Sequence, residues 1–163
     1  MEQTPGFKHV EKTILVVDDD PTILSFVSGF LDGRYNVLIA KSGIDAIRRS
    51  EEFKGEIHLL LSDFQMAGMS GIELATKLTV QRPQIKVLMM SGFPEGMLVL
   101  NEGWHFLAKP FIPSQLQTLI NGLIAPTGQI HGAGVEPIKI RKPSYSQYEG
   151  RRELFDKRKG RSL

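Results

Sequence analysis

Five short apolar runs recur through the first 125 residues of this 163-residue chain, separated by stretches with helical spacing. They are Thr13 to Val17, Tyr35 to Ile39, Ile57 to Ser62, Ile85 to Met90 and Trp104 to Ala108. Runs so brief and so continuously apolar must be covered on both faces, and strands alternating with helices achieve this as a parallel sheet between two helical layers. The reading is a (βα)5 α/β domain. Asp20 followed by Pro21 predicts an N-cap and first helical position, with a stop near Gly33. Ser42 and Asp45 predict a second helix start, and Ser70 with Glu73 a fuller capping box ahead of Leu74 and Leu78. Pro113 opens the last helix, whose Leu116, Leu119, Ile120 and Leu123 form one apolar stripe.

The character of the chain changes after Ala125. Pro126, Gly128, Gly132, Gly134 and Pro137 fall close together and read as a linker. The expected organisation is an N-terminal extension 1–11, a folded domain 12–125, a linker 126–138 and a basic tail 139–163, disordered or partly helical. Charge follows the same division: residues 1–125 hold 11 Lys/Arg against 14 Asp/Glu, and residues 126–163 hold 9 against 4. The domain is therefore acidic and the tail basic. With no Cys, thiolate zinc sites, disulfides and cysteine nucleophiles are excluded, so any metal must be held by oxygen or imidazole. No apolar run approaches the roughly 20 residues of a membrane span, and no signal-peptide core is present, which predicts a cytoplasmic protein that does not enter a membrane.

Ligands of open parallel sheets bind beyond the carboxyl ends of the strands, so the residues just after each run matter most. Strand one ends in Asp18-Asp19-Asp20, strand three in Asp63, strand four in Ser91-Gly92 and strand five in Lys109-Pro110. Singly each is an ordinary cap, turn or surface residue. Jointly they converge on one edge of a parallel sheet. Carboxylates gathered so closely repel unless a cation neutralises them, and an oxygen-only donor set with room for water suits Mg²⁺. Such a site can transfer a phosphoryl group to a carboxylate, giving an acyl phosphate. The Lys109 ammonium and Ser91 hydroxyl would then contact only the phosphoryl oxygens.

These residues resemble the receiver domains of two-component response regulators. The match runs from about Lys12 to Ala125. Ile14-Leu15-Val16-Val17-Asp18-Asp19-Asp20-Pro21 resembles the family's first strand and acidic cluster, Leu59-Leu60-Leu61-Ser62-Asp63 its phosphoacceptor strand, and Met66-Ala67-Gly68-Met69-Ser70-Gly71 the loop that follows; Ser91 and Lys109-Pro110-Phe111 complete the set. The resemblance implies a flavodoxin-like doubly wound fold of strand order 2-1-3-4-5. It implies Asp63 as phosphoacceptor, with Lys109 and Ser91 in the catalytic set. It further implies Mg²⁺ held by Asp18, Asp19, Asp63 and the Gln65 backbone carbonyl, with Asp20 peripheral, and a cis Lys109–Pro110 bond. Phe106 stands where the family places an aromatic switch residue working with Ser91, plain core packing being the alternative.

Two departures stand out. Ala67 occupies a loop position that is usually Pro in the family, and only 17 residues separate Ser91 from Lys109, which predicts a shortened fourth helix. The expected function is a stand-alone, single-domain response regulator, monomeric or weakly dimeric. It would be phosphorylated by a histidine kinase or histidine phosphotransfer protein and act on an unknown downstream protein rather than as an enzyme. Two alternatives compete. Asp18-Asp19-Asp20-Pro21-Thr22 also fits the Asp-x-Asp motif of haloacid dehalogenase-type phosphatases, although no acidic residue follows Lys109 in the folded part and Asp63 would have no role. The basic tail could bind nucleic acid through Arg151, Arg152, Lys157, Arg158, Lys159 and Arg161. His58, inside a strand, reads as structural rather than as a phosphate carrier.

Overall fold

The structure, a computed structural model, describes residues 12–92 and 103–124. In chain order the elements are β1 (Thr13–Val17), α1 (Pro21–Leu31), β2 (Asn36–Ala40), α2 (Gly43–Glu52), β3 (Leu59–Asp63), α3 (Gly71–Gln81), β4 (Lys86–Ser91), β5 (Trp104–Ala108) and α4 (Pro113–Ile124). All strand pairings are parallel and the sheet order is β2-β1-β3-β4-β5, the doubly wound arrangement expected from the sequence. The predicted short helix between Ser91 and Lys109 falls mainly on residues 93–102, outside the described residues. The extension 1–11, the linker 126–138 and the tail 139–163 with its nucleic-acid role lie outside them too.

The pleat sorts the apolar runs between two cores. Ile14, Val16, Leu59, Leu61, Leu88, Met90 and Leu107 face α1 and α4, meeting Leu24, Val27, Leu31, Leu116 and Ile120. Their neighbours Leu15, Val17, Leu60, Val87 and Met89 face α2 and α3, meeting Ala46, Leu74, Ala75 and Leu78. All five residues of β1 and of β3 are buried, which explains why neither run alternates with polar residues.

The helix starts follow their caps. Asp20 accepts from the Thr22 N–H at 2.7 Å, and Ser42 from that of Asp45 at 3.2 Å. Ser70 and Glu73 form a reciprocal box, with Ser70 N–H donating to Glu73 Oε2 at 2.9 Å. At the other end of α1, Gly33 takes φ 71° just past the Asp32 C-cap, a left-handed conformation that glycine adopts without a Cβ penalty. One cap is not local. Arg82, following α3, donates to the carbonyls of Ser50, Phe53 and Gly55 at 2.6, 2.8 and 2.8 Å and so satisfies the C-terminal end of α2.

Three strands begin later than their apolar runs, for identifiable reasons. Tyr35 N–H is taken by the Leu31 carbonyl at 3.2 Å, so this residue closes α1 rather than opening β2. Ile85 N–H is likewise taken by Arg82 in a turn before β4. Before β3, His58 uses its side chain as a rung of the ladder: its N–H donates to the Thr13 carbonyl at 2.9 Å while its Nδ1 accepts from Thr13 N–H at 3.1 Å.

That rung requires an unprotonated Nδ1. Burial, then the nearby Lys12 charge, hold His58 below the ordinary histidine range, with the Glu56 carboxylate 3.3 Å from Nε2 opposing them. A histidine whose folded pKa is depressed contributes stability above its unfolded value, about 6.5, and that contribution is lost as pH falls below it because the unfolded chain takes the proton first. Denaturant midpoints should therefore fall between about pH 7 and about pH 5 more in the native sequence than in His58→Asn, which keeps an acceptor at the same position without titrating. Equal slopes would show that His58 is not the source.

Candidate functional site at the carboxyl edge of the sheet

β1 delivers Asp18, β3 delivers Asp63, and the turn after β5 delivers Lys109. The Lys109 ammonium donates to Asp18 Oδ2 at 2.8 Å and to Asp63 Oδ1 at 2.6 Å, two ion pairs on one nitrogen. Asp18 is 1% exposed and Asp63 8%. The other oxygens are held by backbone: Asp20 N–H donates to Asp18 Oδ1 and Gln65 N–H to Asp63 Oδ2, both at 2.9 Å. Each carboxylate is thereby fixed in plane and position by one cationic and one amide donor.

Lys109 reaches this point because its N–H donates to the Ser91 carbonyl at 2.7 Å, continuing the β4–β5 ladder, and its bond to Pro110 is cis. Ser91 ends β4 and is buried. Phe106, paired with Met89 across the ladder, is half-buried with Trp104 on the α2–α3 face, whereas Leu107 packs on the other. Asp20 is used as the α1 cap, and its Thr22 N–H partner holds its carboxyl below the ordinary range.

Burial pushes the Asp63 carboxyl above the ordinary range, and the Asp18 charge adds to it; Lys109 and the Gln65 N–H oppose them without prevailing. For Lys109 burial is the largest single influence and disfavours its charge, yet the two carboxylates together outweigh it and its pKa is raised. The expected repulsion between carboxylates is thus met first by an ammonium. Two buried carboxylates, Asp18 and Asp63, are the ion-pair partners of Lys109.

Asp19 is not gathered with the other two. It is exposed, and its Oδ2 accepts from the Ala67 N–H at 3.2 Å. Accordingly, among the described residues no three His, Asp or Glu side chains form a group that could hold a metal ion as they stand. The donor chemistry nevertheless fits a hard cation: carboxylate and amide oxygens, without sulfur or imidazole.

Sequence reasoning missed the role of Gly71. Its N–H donates to the Phe64 carbonyl at 3.0 Å, and a Cβ on it would overlap the Asp63 carbonyl oxygen and crowd the Phe64 Cα. The start of α3 can lie against the end of β3 only without a side chain there. The signal was present as Gly directly after the Ser70 cap, but it is indistinguishable from an ordinary loop glycine.

The carboxyl edge of this doubly wound parallel sheet thus carries two paired acids and a lysine. The sequence profile of the response regulator receiver domain matches residues 14–121, and the chain belongs to that family. It is 32% identical over 128 residues to the sensor kinase CckA of Brucella abortus, covering 76% of this chain and 14% of that protein. It is 34% identical over 119 residues to the transcriptional regulatory protein ZraR of Salmonella typhimurium, covering 70% and 26% respectively. The chain thus spans about half or less of the curated relatives it matches. Among solved structures it is similar to the response regulator TrrA of Thermotoga maritima in complex with Mg(2+)-BeF, with a TM-score of 0.62 and 25% identity over 69% of this chain and 99% of that one.

Gly71→Ala is expected to cost about 1–3 kcal/mol, since backbone rather than a flexible side chain must give way. Ala added at Gly29, where nothing lies within 4 Å, is the control and should cost no stability. Chemical denaturation of both variants checks this; equal stabilities would refute the close approach.

Proposed function

We propose that the chain is a phosphorylation-activated switch in which Asp63 accepts a phosphoryl group from a histidine kinase or histidine phosphotransfer protein. The observation that carries this reading is the single ammonium bonded to Asp18 and Asp63. An Asp63 oxygen forms the new bond to phosphorus, and the bond from phosphorus to the donor imidazole nitrogen breaks. The electron pair leaves with that nitrogen. Lys109, already 2.6 Å from Asp63, exchanges a carboxylate partner for a phosphoryl oxygen and keeps its charge compensated. Ser91, at the end of the adjacent strand, donates a hydroxyl hydrogen bond to the same group, and Phe106 follows its movement.

Asp18, Asp19, Asp63 and the Gln65 carbonyl are the residues that would hold Mg²⁺, which when bound neutralises the acidic pocket toward an incoming anion. Asp63 rather than Asp18 is taken as the nucleophile because the phosphatase reading would leave Asp63, held by Lys109 and the Gln65 N–H, without a role. This argues against the phosphatase alternative.

Binding of protein partners is supported by apolar surface near the pocket in sequence. Phe26 on α1 is 45% exposed and Ile112, three residues after Lys109, is 60% exposed. Phe111, half-buried and next to Ile112 in sequence, has its ring centroid 6.3 Å from that of Phe26. Among the described residues no helix is long and apolar enough to cross a membrane.

Incubation with acetyl phosphate and Mg²⁺ should add one phosphoryl group by intact mass, and Asp63→Asn or EDTA should abolish the addition. Labelling that persists in Asp63→Asn would refute the assignment, and labelling mapped to Asp18 would favour the phosphatase.

A further inference from the structure

The loop between β3 and α3 reaches back across the sheet edge. A backbone amide of the loop bonds the acidic cluster that follows β1, Ala67 N–H donating to Asp19 Oδ2 at 3.2 Å. The rest of the loop is anchored independently. Gln65 N–H holds Asp63, Met69 N–H donates to the Ala67 carbonyl at 3.1 Å, Gly68 turns the chain at φ 81°, and Ser70 is fixed as the α3 cap. The Ala67 amide is therefore aimed by its surroundings, not by its own side chain. The carboxylate it holds is the exposed member of the three acids that the pocket would need, and those three do not form a cation-binding group as they stand.

We propose that the Ala67 N–H is a latch on Asp19: it holds this carboxylate toward the loop, and the latch must open before Asp19 can serve a cation together with Asp18 and Asp63. The inference rests on the reading of the pocket as a Mg²⁺ site. A carboxylate can accept from an amide on one oxygen and meet a cation with the other, as Asp18 and Asp63 do, so the competition is one of position: bringing Asp19 to the other two acids draws it off the Ala67 amide. Competition makes the Ala67 amide a reporter of occupancy, because filling the pocket releases it while the rest of the loop keeps its own anchors. The side chain at 67 does not matter to this contact; the N–H does. Proline, which has no N–H, removes the donor, and the Ala67 position is one that the family resemblance associates with proline.

The test is Mg²⁺ titration of the native chain, Ala67→Pro and Ala67→Gly by calorimetry, paired with the amide resonance of Ala67. Ala67→Pro should bind Mg²⁺ about twofold to tenfold more tightly, the size of one exposed hydrogen bond, while Ala67→Gly keeps the donor and gains none of that increase. In the native chain the Ala67 amide proton should move upfield as Mg²⁺ saturates, toward its position in cation-free Asp19→Ala. An Ala67 resonance that does not respond to saturating Mg²⁺ overturns the latch, as does binding by Ala67→Pro no tighter than by Ala67→Gly. If none of the three proteins binds Mg²⁺, the metal reading itself fails and the latch falls with it. Mg²⁺ binding without a latch is thus distinguishable from no Mg²⁺ site at all.

Discussion

One ammonium bonded to two buried carboxylates is the interaction on which this domain turns. Asp18 and Asp63 lie on adjacent strands β1 and β3, and Lys109 comes from beyond β5, two strands further across the sheet. Removing one partner of a buried ionic group leaves an uncompensated charge, a cost of about 3–5 kcal/mol, so the sheet order and the chemistry constrain each other. A parallel sheet brings all strand ends of one kind to one edge, and that alone allows residues 91 positions apart in sequence to share a bond. Two influences meet at Asp63: burial pushes its carboxyl up, and the Lys109 ammonium beside it pulls the other way.

Much of this was legible because strand ends and helix caps are local signals. Asp20-Pro21, Ser42-Asp45, Ser70-Glu73 and Pro113 each mark a helix start by chemistry contained in a few residues, and each start is where the structure has it. The expected convergence of Asp18, Asp63, Ser91 and Lys109 followed from counting polar residues after apolar runs, since topology then does the rest.

What escaped the sequence depends on contacts between distant segments. Nothing near Arg82 announces that its guanidinium will close the end of α2, and nothing near His58 announces that its ring will extend a strand ladder. Apolar runs mark burial, not hydrogen bonding, so Tyr35 and Ile85 read as strand although turns claim their amides. Nor does anything near Asp19 announce that a loop amide 48 residues away will bond its carboxylate.

Arg82 carries a mechanical consequence. Its guanidinium grips Ser50, Phe53 and Gly55 at once, from the residue that terminates α3, so α2 and α3 are riveted at the ends remote from the acidic pocket. Two rods fastened at one end transmit load differently from two free rods. A push delivered at Ser70, where α3 begins, cannot tilt that helix alone; it must swing the pair about the rivet or be absorbed where the rods are not joined. The α2–α3 layer is thus cross-braced at the end remote from the pocket.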